Sequence, residues 1–439
     1  MPRRRITREK LTGGLLVAAA IAVMNVTTYG LTLAAARLLG PDQFGQFSSL
    51  LGVLIVVNVV SLALQATGAR RVATSEQSRP ELEHRILSAT RMAAAAVLVI
   101  GLLLAPVLNQ VLRLDSIWGA IAMAVAAALL CIMGGQAGIL QGEQRWSSLA
   151  LVYAAMGIGR LAFGLLALGV HRSAAAALIG VAVAAIAPVV VGVWALAHPQ
   201  RTIGRAPVGA EPPSAWMPWE RGSILREIMH SSHALFAFFA LSNVDVLIAR
   251  ALLPAHEAGL YSSGLVLTKA VLFLPQFVVI VLFPSMARSQ GGRRLHVLGL
   301  ATVLGVGVAA SSGVALLSGL AQEFVGGTAY AEVRPLLWVF ALLGTVLAMI
   351  QLLVYGALAG RHPRAVLVLW AGLVATVAAA TMVDTVAELL VLKLGIDVAV
   401  LVVLAVILIV LPAPAGEPSA DLPTPLAEDV SSPEQPGVR

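Results

Sequence analysis

A turn that occurs twice decides how this chain is divided. Residues 36–49 read ARLLGPDQFGQFSS, and residues 249–263 read ARALLPAHEAGLYSS. In each stretch a proline follows an arginine by four residues, and a glycine and two serines come next, with one residue inserted in the second copy. Each stretch lies between two long apolar runs. Because the same turn joins the same kind of segments twice, the chain is predicted to contain two structural repeats.

Composition places these apolar runs in a membrane. Hydrophobic residues make up 59% of the 439 residues and charged residues 12%, and the mean hydropathy is +0.91. The runs recur at a length of about 20 residues, which a helix needs to cross a hydrocarbon core about 30 Å thick. They are continuously apolar, whereas membrane-spanning strands alternate apolar and polar residues. The chain is therefore predicted to be an all-α polytopic membrane protein.

We predict about 12 transmembrane helices in two six-helix bundles. The predicted spans are 14–36, 47–68, 87–109, 117–140, 148–170, 174–197, 231–253, 261–286, 295–318, 334–358, 365–383 and 389–411. The two repeated turns start six spans apart and have the same orientation. The bundles are thus predicted to be parallel repeats, related by a pseudo-two-fold axis along the membrane normal.

The chain is further divided by its polar segments. Residues 1–13 form a basic N-terminal segment, 14–197 the first bundle, 198–230 a proline-rich linker, 231–411 the second bundle and 412–439 a tail. The tail is rich in proline and acidic residues and poor in bulky ones, so we expect it to be disordered.

Basic residues predict the orientation. Most Lys and Arg residues lie in segments on the same side as the N-terminus, and such residues are held on the cytoplasmic side during insertion. We therefore expect a multi-pass protein of the plasma (inner) membrane, with both termini and the linker in the cytoplasm. This bias accounts for much of the net charge of +7, so the charge does not indicate a nucleic-acid partner.

Charged side chains inside the spans are candidate functional residues, because a charge inside a bilayer is costly and usually has a role. Arg160 lies near the middle of the fifth predicted span, where its guanidinium could bind a phosphate through two hydrogen bonds. The alternative is a structural cation, paired with Gln136 or Asn25 in neighbouring helices.

Asp245 and Lys269 form a second candidate group in the seventh and eighth predicted spans. Counted from the turn that joins these spans, Asp245 lies about 13 Å and Lys269 about 12 Å along its helix, which predicts equal depth. One interpretation is an ion pair that allows both charges to lie in the bilayer. The other places them in a cavity wall, where Lys269 attracts phosphate or Asp245 takes up a proton.

Three further polar residues have two interpretations each. Arg37 and Arg250 end predicted helices, where a cation favours the negative end of the helix dipole and its stem reaches water; alternatively they form a pseudo-symmetric pair at the outer mouth. Asn25 could face sugar hydroxyls or hydrogen-bond between helices.

Gly134, Gly138 and Gly142 are spaced for close helix packing.

Three stretches resemble a known family. They are RLLGPDQFG (37–45), SNVDVLIARALLP (242–254) and AGLYSSGLVLTKAVLFLPQFVVIVLFPSMAR (258–288). They are similar to the polysaccharide transporter family, the oligosaccharide flippase branch of the superfamily that also holds the multidrug and toxic compound extrusion proteins and the lipid II flippases. The resemblance implies an alternating-access transporter that flips a polyprenyl-phosphate-linked sugar or oligosaccharide from the inner to the outer leaflet for cell-envelope polysaccharide synthesis. It also implies a lipid-linked glycan substrate, membrane lipids and polysaccharide assembly machinery as partners.

Two other functions share some of these features. A multidrug or cation antiporter has the same fold, but is expected to offer acidic residues to cationic drugs. A membrane glycosyltransferase or polymerase would need a sizeable outer loop with acidic catalysts, and the longest predicted outer loop, about 319–333, offers only Glu323 and Glu332. None of the three lysines follows a glycine, which excludes a Walker A phosphate loop, and no His or Cys spacing is typical of a metal site. We therefore expect a protein that is not an enzyme and has no cofactor.

Overall fold

The computed structural model describes residues 8–74, 79–198, 233–288, 293–359 and 363–410. The predicted linker after His198 and the predicted tail lie outside the described residues. The helices are α1 (Arg8–Val57), α2 (Val59–Thr74), α3 (Arg79–Val111), α4 (Ile117–Gly142), α5 (Trp146–Val170), α6 (Ala174–Ala184), α7 (Ile186–Ala197), α8 (His233–Leu241), α9 (Val244–Leu252), α10 (Ala255–Arg288), α11 (Arg293–Leu316), α12 (Ser318–Val325), α13 (Leu337–Ala359), α14 (Pro363–Ala379) and α15 (Val386–Ala405), with short 3-10 segments at Thr328–Leu336 and Ala380–Met382.

Each half of the chain forms six spans, as predicted. Within the described ranges, nine helical segments are long and apolar enough to cross a membrane. The first of these, Gly13–Thr74, is two spans, because Gly40 interrupts α1 with a φ of +72° that favours glycine. The paired helices α8 and α9, bent by 40°, form another span. The helix α10, with 34 residues, is counted as one further span. Together these make twelve spans in the all-α fold that the sequence predicts.

Two names for the ends of the molecule are useful. The end that carries the repeated turns, at Gly40 and Pro254, is called the turn side. The end that carries His198 and His233, which flank the linker, is called the linker side.

The two halves pack their spans in the same order. In each half the second and third spans pack against the fourth, and the fourth and fifth pack against the sixth. Small residues allow the closest of these contacts. A Cβ atom on Gly138 would lie 2.6 Å from the Gln65 carbonyl oxygen of the second span, and in the other half Gly344 packs equally closely on the Thr268 backbone. The predicted close-packing role of Gly138 is confirmed.

The repeats meet at their equivalent turns. A Cβ atom on Gly45 would lie 3.2 Å from the backbone nitrogen of Gly259, and these two glycines occupy matching positions in the two copies of the turn. Equivalent residues of two copies related by a two-fold axis come into contact where the axis passes between them. The predicted pseudo-two-fold axis therefore passes through this contact.

Large aromatic side chains form the core near the turn side. Phe44, Phe47, Tyr261, Tyr330 and Phe340 are all fully buried. Phe44 and Tyr330 come from different halves of the chain, and their rings make an edge contact with centroids 6.2 Å apart. Burial of such large side chains contributes strongly to packing, so this end of the interface between the bundles is tightly closed.

Candidate functional site

Arg250 is part of a hydrogen-bonded clasp between the halves. Its side chain is only 2% exposed. Its guanidinium donates to the Leu112 carbonyl at 2.8 Å, to the Arg113 carbonyl at 2.7 Å and to the Asp42 carboxylate at 2.6 Å. The hydrogen bonding is reciprocal, because the Arg113 side chain donates to the Arg250 carbonyl at 2.5 Å and to the Leu253 carbonyl. The donors of Arg250 are thus occupied by protein acceptors, which favours a structural role.

Arg37 has a different environment from Arg250. It is exposed and donates to the Glu323 carbonyl at 2.9 Å. Beside it, the hydroxyl of Tyr330 donates to the Ala36 carbonyl at 2.8 Å. The two arginines match in sequence but not in their contacts, so they do not form a symmetric pair of free cations.

Polar contacts close the molecule on its turn side. Among the described residues, every side-chain hydrogen bond between the two halves lies in the turn-side half of the membrane. The deepest joins the Tyr29 hydroxyl to the Val266 carbonyl at 2.8 Å. This contact marks how far the closed part of the interface extends.

Asn25 and Lys269 lie one helical turn beyond that contact, toward the linker side. Asn25 precedes Tyr29 by four residues and Lys269 follows Val266 by three, so each lies on the same helix face as its neighbour. Counted from Gly40 and from Pro254, each is about 22 Å along its helix. Both side chains are partly exposed. The structure thus brings these two predicted site residues to one level, on helices of opposite halves.

Arg160 lies close to the same level in the first bundle. Its helix, α5, packs on α1 through small residues: a Cβ atom on Gly157 would lie 2.5 Å from the Met24 Cα atom, and Gly164 lies against the Leu31 side chain. Arg160 is between these two glycines on the same side of α5, and is partly exposed. Its Cα is therefore level with the stretch of α1 that contains Asn25.

The guanidinium of Arg160 is unpaired within the described part of the chain. Among the residues that the structure describes, none forms a hydrogen bond or an ion pair with it. Gln136, one predicted partner, instead donates to the Val189 carbonyl at 3.3 Å. Because a charge in the membrane is costly and an unpaired one is not explained by structure, Arg160 is the strongest candidate for ligand binding.

The predicted equal depth of Asp245 and Lys269 is wrong. The helix α10 begins at Ala255, six residues before the predicted start of the span. Lys269 therefore lies about 22 Å from Pro254, against about 13 Å for Asp245. In the described structure the two side chains form no ion pair within 4.0 Å, but each acts electrostatically on the other. Asp245 instead accepts from the Tyr261 hydroxyl and the Val246 backbone, each at 3.0 Å.

A buried ion pair that we had not predicted lies beside Asp245. Lys393 and Asp397 of α15 are both 0% exposed, and the Lys393 ammonium donates to an Asp397 carboxylate oxygen at 2.5 Å. Lys393 also acts electrostatically on Asp245. The spacing of four residues in an apolar span is the signal that would have indicated this pair. Asp245 is thus fully buried beside this pair, and Lys269 also acts electrostatically on it.

The described ranges contain no group of three or more His, Cys, Asp or Glu side chains that could hold a metal ion. In the second bundle, the ammonium of Lys393 acts electrostatically on both Asp397 and Asp245.

Accessibility from one side tests this arrangement. In a Cys131→Ala background, Asn25→Cys should react with a membrane-impermeant maleimide applied to the linker side of sealed vesicles and not with the reagent applied to the turn side. Adding Gly259→Leu should permit turn-side labelling, because any side chain at Gly259 would collide with the Pro41 backbone and separate the turns. Leu103→Cys, on a surface 72% exposed, is the lipid-facing control that should resist both. Turn-side labelling without the Gly259 change would contradict the closure.

Solved structures share this fold. The sequence matches no protein-family model and no curated protein sequence. The lipid II flippase MurJ in an inward closed conformation is similar with a TM-score of 0.63 and 11% identity, over 88% of this chain and 86% of that chain. An inward-facing multidrug resistance MATE family transporter of the MOP superfamily has a TM-score of 0.59 and 13% identity, over 88% and 93%. A eukaryotic MATE transporter has 0.52 and 13%, over 92% and 95%. The chain therefore has the two-bundle fold of these transporters.

Proposed function

We propose that this chain is an alternating-access transporter that moves a polyprenyl-phosphate-linked sugar or oligosaccharide from the linker-side leaflet to the turn-side leaflet. The linker side is then cytoplasmic, the membrane is the plasma membrane, and the substrate serves cell-envelope polysaccharide synthesis. The observation that carries this proposal is the guanidinium of Arg160, which has no partner among the described residues. It lies at mid-membrane depth, level with Asn25 of the same bundle and with Lys269 of the opposite bundle.

These residues suit an anionic lipid-linked sugar. A guanidinium binds phosphate through two charge-assisted hydrogen bonds, and an ammonium attracts it as a point charge. Asn25 offers an amide that can donate to and accept from sugar hydroxyls. Among the described residues, neither Arg160 nor Lys269 forms an ion pair with a carboxylate, although Asp245 acts on Lys269 from a distance. Two such cations match a phosphate or pyrophosphate better than a cationic drug.

Alternating access needs a closure that can be broken. The turn-side clasp consists of hydrogen bonds and a backbone contact at two glycines, whereas each bundle is held by continuous helix packing. In the proposed cycle Arg250 separates from Asp42, the halves rotate about the axis near Gly45 and Gly259, and the site opens to the turn side. Arg37 and Arg250 then act as gate residues, with no direct role in substrate binding.

A multidrug antiporter is the second candidate. The similarity to MATE transporters favours it, and it would use the acidic residues of the second bundle. In this chain, however, Asp397 already has Lys393 as its counter-ion, and Asp245 has Tyr261 and Val246 as donors. A drug cation would have to replace these contacts.

Depletion of the protein distinguishes the two. We expect one lipid-linked glycan to accumulate on the linker-side leaflet, with its covalent structure unchanged because the protein performs no chemistry on it. Mass spectrometry of extracted lipids identifies the glycan, and an enzyme that cannot cross the membrane reports its leaflet. Complementation by the intact chain should restore the normal level, and the same strain is tested for sensitivity to cationic drugs. Drug sensitivity without glycan accumulation would refute the flippase proposal and support the antiporter.

A further inference from the structure

A pocket opens at the turn side of the first bundle. Its volume is about 370 Å³, which is within the range of about 300–1,000 Å³ typical of ligand pockets. It lies between the part of α1 after Gly40 and the first residues of α4 and α6. It contains none of the residues at mid-membrane depth, so it is a separate site from that of Arg160.

The pocket has an apolar base and a charged rim. Leu50 and Leu114 are buried at its base, whereas Asp115, His171 and Arg172 are exposed at its rim. The rim thus carries one carboxylate and one guanidinium, whose charges balance.

Gln46 is a buried polar residue in the lining of this pocket. Its side chain is 2% exposed and lines the pocket. Its carbonyl oxygen accepts from the Asp115 backbone at 3.1 Å, but its amide nitrogen, Nε2, is buried and has no partner in the described part of the chain. A buried donor left unsatisfied costs about 1–3 kcal/mol. The neighbouring Gln43 differs, since it donates to the Asp115 carboxylate and accepts from the Ala174 backbone at 2.9 Å. Gln43 therefore holds the site together, whereas one donor of Gln46 has no protein partner among the described residues.

The helix ends at this pocket do not form an anion site. The Ser116 hydroxyl accepts from the Trp118 backbone at 3.3 Å, and the Ser173 hydroxyl accepts from the Ala176 backbone at 3.2 Å. These caps occupy N–H groups that would otherwise bind an anion at a helix N-terminus. The Asp115 carboxylate would also repel an anion.

We propose that this pocket binds an uncharged sugar residue. A sugar hydroxyl both donates and accepts, and the pocket offers donors in Gln46 and Arg172 beside an acceptor in the Asp115 carboxylate. We identify this sugar with the glycan headgroup of the transported lipid, after the headgroup has reached the turn side. Only this identification rests on the proposed function. The pocket then holds the headgroup on the release side and opposes its return.

Binding of free sugars to the purified full-length chain tests the site. Glucose and N-acetylglucosamine are the probes, inorganic phosphate is the anion probe, and saturation-transfer NMR in nanodiscs gives the affinity. We expect saturable binding of at least one sugar, weakened at least tenfold by Arg172→Gln and by Gln46→Met, and no competition by phosphate. Arg334→Gln is the matched control, because Arg334 lines a separate turn-side pocket and bonds the Ser318 hydroxyl at 3.1 Å. It should leave sugar affinity unchanged.

A conservative change guards against misfolding. Gln46→Glu keeps an acceptor for the Asp115 backbone and replaces the unpaired donor by an acceptor, so it should also weaken sugar binding. It is the variant to measure if Gln46→Met fails to fold. The proposal is overturned if neither sugar binds, if the variants bind as tightly as the intact chain, or if phosphate displaces the sugar. The binding experiment uses free sugars and no lipid-linked substrate. If the depletion experiment failed, the pocket could therefore still bind a sugar, and only the identification of that sugar as the transported headgroup would be lost.

Discussion

Lys393→Met should lower the free energy of unfolding by about 3–5 kcal/mol, the usual effect of removing one partner of a buried ion pair. The ammonium lies against Asp397 and acts on Asp245, so its loss leaves the Asp397 carboxylate buried without its counter-ion and Asp245 with only Lys269 acting on it. Asp397→Leu should cost less, since Lys393 can then turn toward Asp245. The stability is measured by denaturant titration of the purified chain in bicelles.

The double variant separates charge from packing. Lys393→Met with Asp397→Leu replaces the pair by apolar side chains and should recover most of the lost stability, because such replacements are often neutral or stabilising. Val391→Met is the matched control, on the same helix but 63% exposed, and should have little effect. If the double variant is as unstable as Lys393→Met, the loss does not come from the stranded carboxylates and the ion-pair interpretation is wrong.

Arg160→Gln should reduce transport by about 10- to 100-fold at normal or raised protein levels. A hydrogen bond to a charged group contributes about 1.5–3 kcal/mol, and each 1.36 kcal/mol is a factor of ten in rate. Because Arg160 has no partner among the described residues, removing its charge strands no other group. The measurement is surface glycan per unit of immunodetected protein in the depleted strain.

Two further arginine variants make this result specific. Arg160→Lys keeps the charge but loses the bidentate fork, so transport should be intermediate. Arg334→Gln, which removes a cation from the turn-side surface, should transport normally. Full transport by Arg160→Gln would end the cationic-site mechanism, and loss of folded protein would show that Arg160 is a structural cation after all.

Local patterns in the sequence predicted the fold well. Hydropathy located twelve spans, and the repeat of Arg37 and Pro41 in Arg250 and Pro254 indicated two parallel bundles. These inferences succeed because a helix in lipid must satisfy its backbone internally, so the length and apolar character of each run almost determine its structure. The helix break at Ser242–Asn243 had no such signal, because the interruption depends on neighbouring helices that surround its freed backbone groups.

The candidate site was predicted only in part. The sequence by itself identified Arg160, Asp245 and Lys269 as charges within the membrane, because their cost in lipid follows from their position in an apolar run. The depth of Lys269 in the membrane did not follow from the hydropathy pattern. The start of α10 at Ala255 lies outside the apolar pattern, and six extra residues moved Lys269 away from Asp245.

Only the tertiary structure decided which groups meet. Lys393 acts electrostatically on Asp245 from a helix 148 positions later in the sequence. Arg250 donates to the carbonyls of Leu112 and Arg113, and the amide nitrogen of Gln46 has no partner among the described residues. Hydropathy averages over the circumference of a helix, so it records that a polar residue is inside the membrane but not the direction in which it points. That direction is set by the rotation of each helix against its neighbours, which arises only when all the helices pack together.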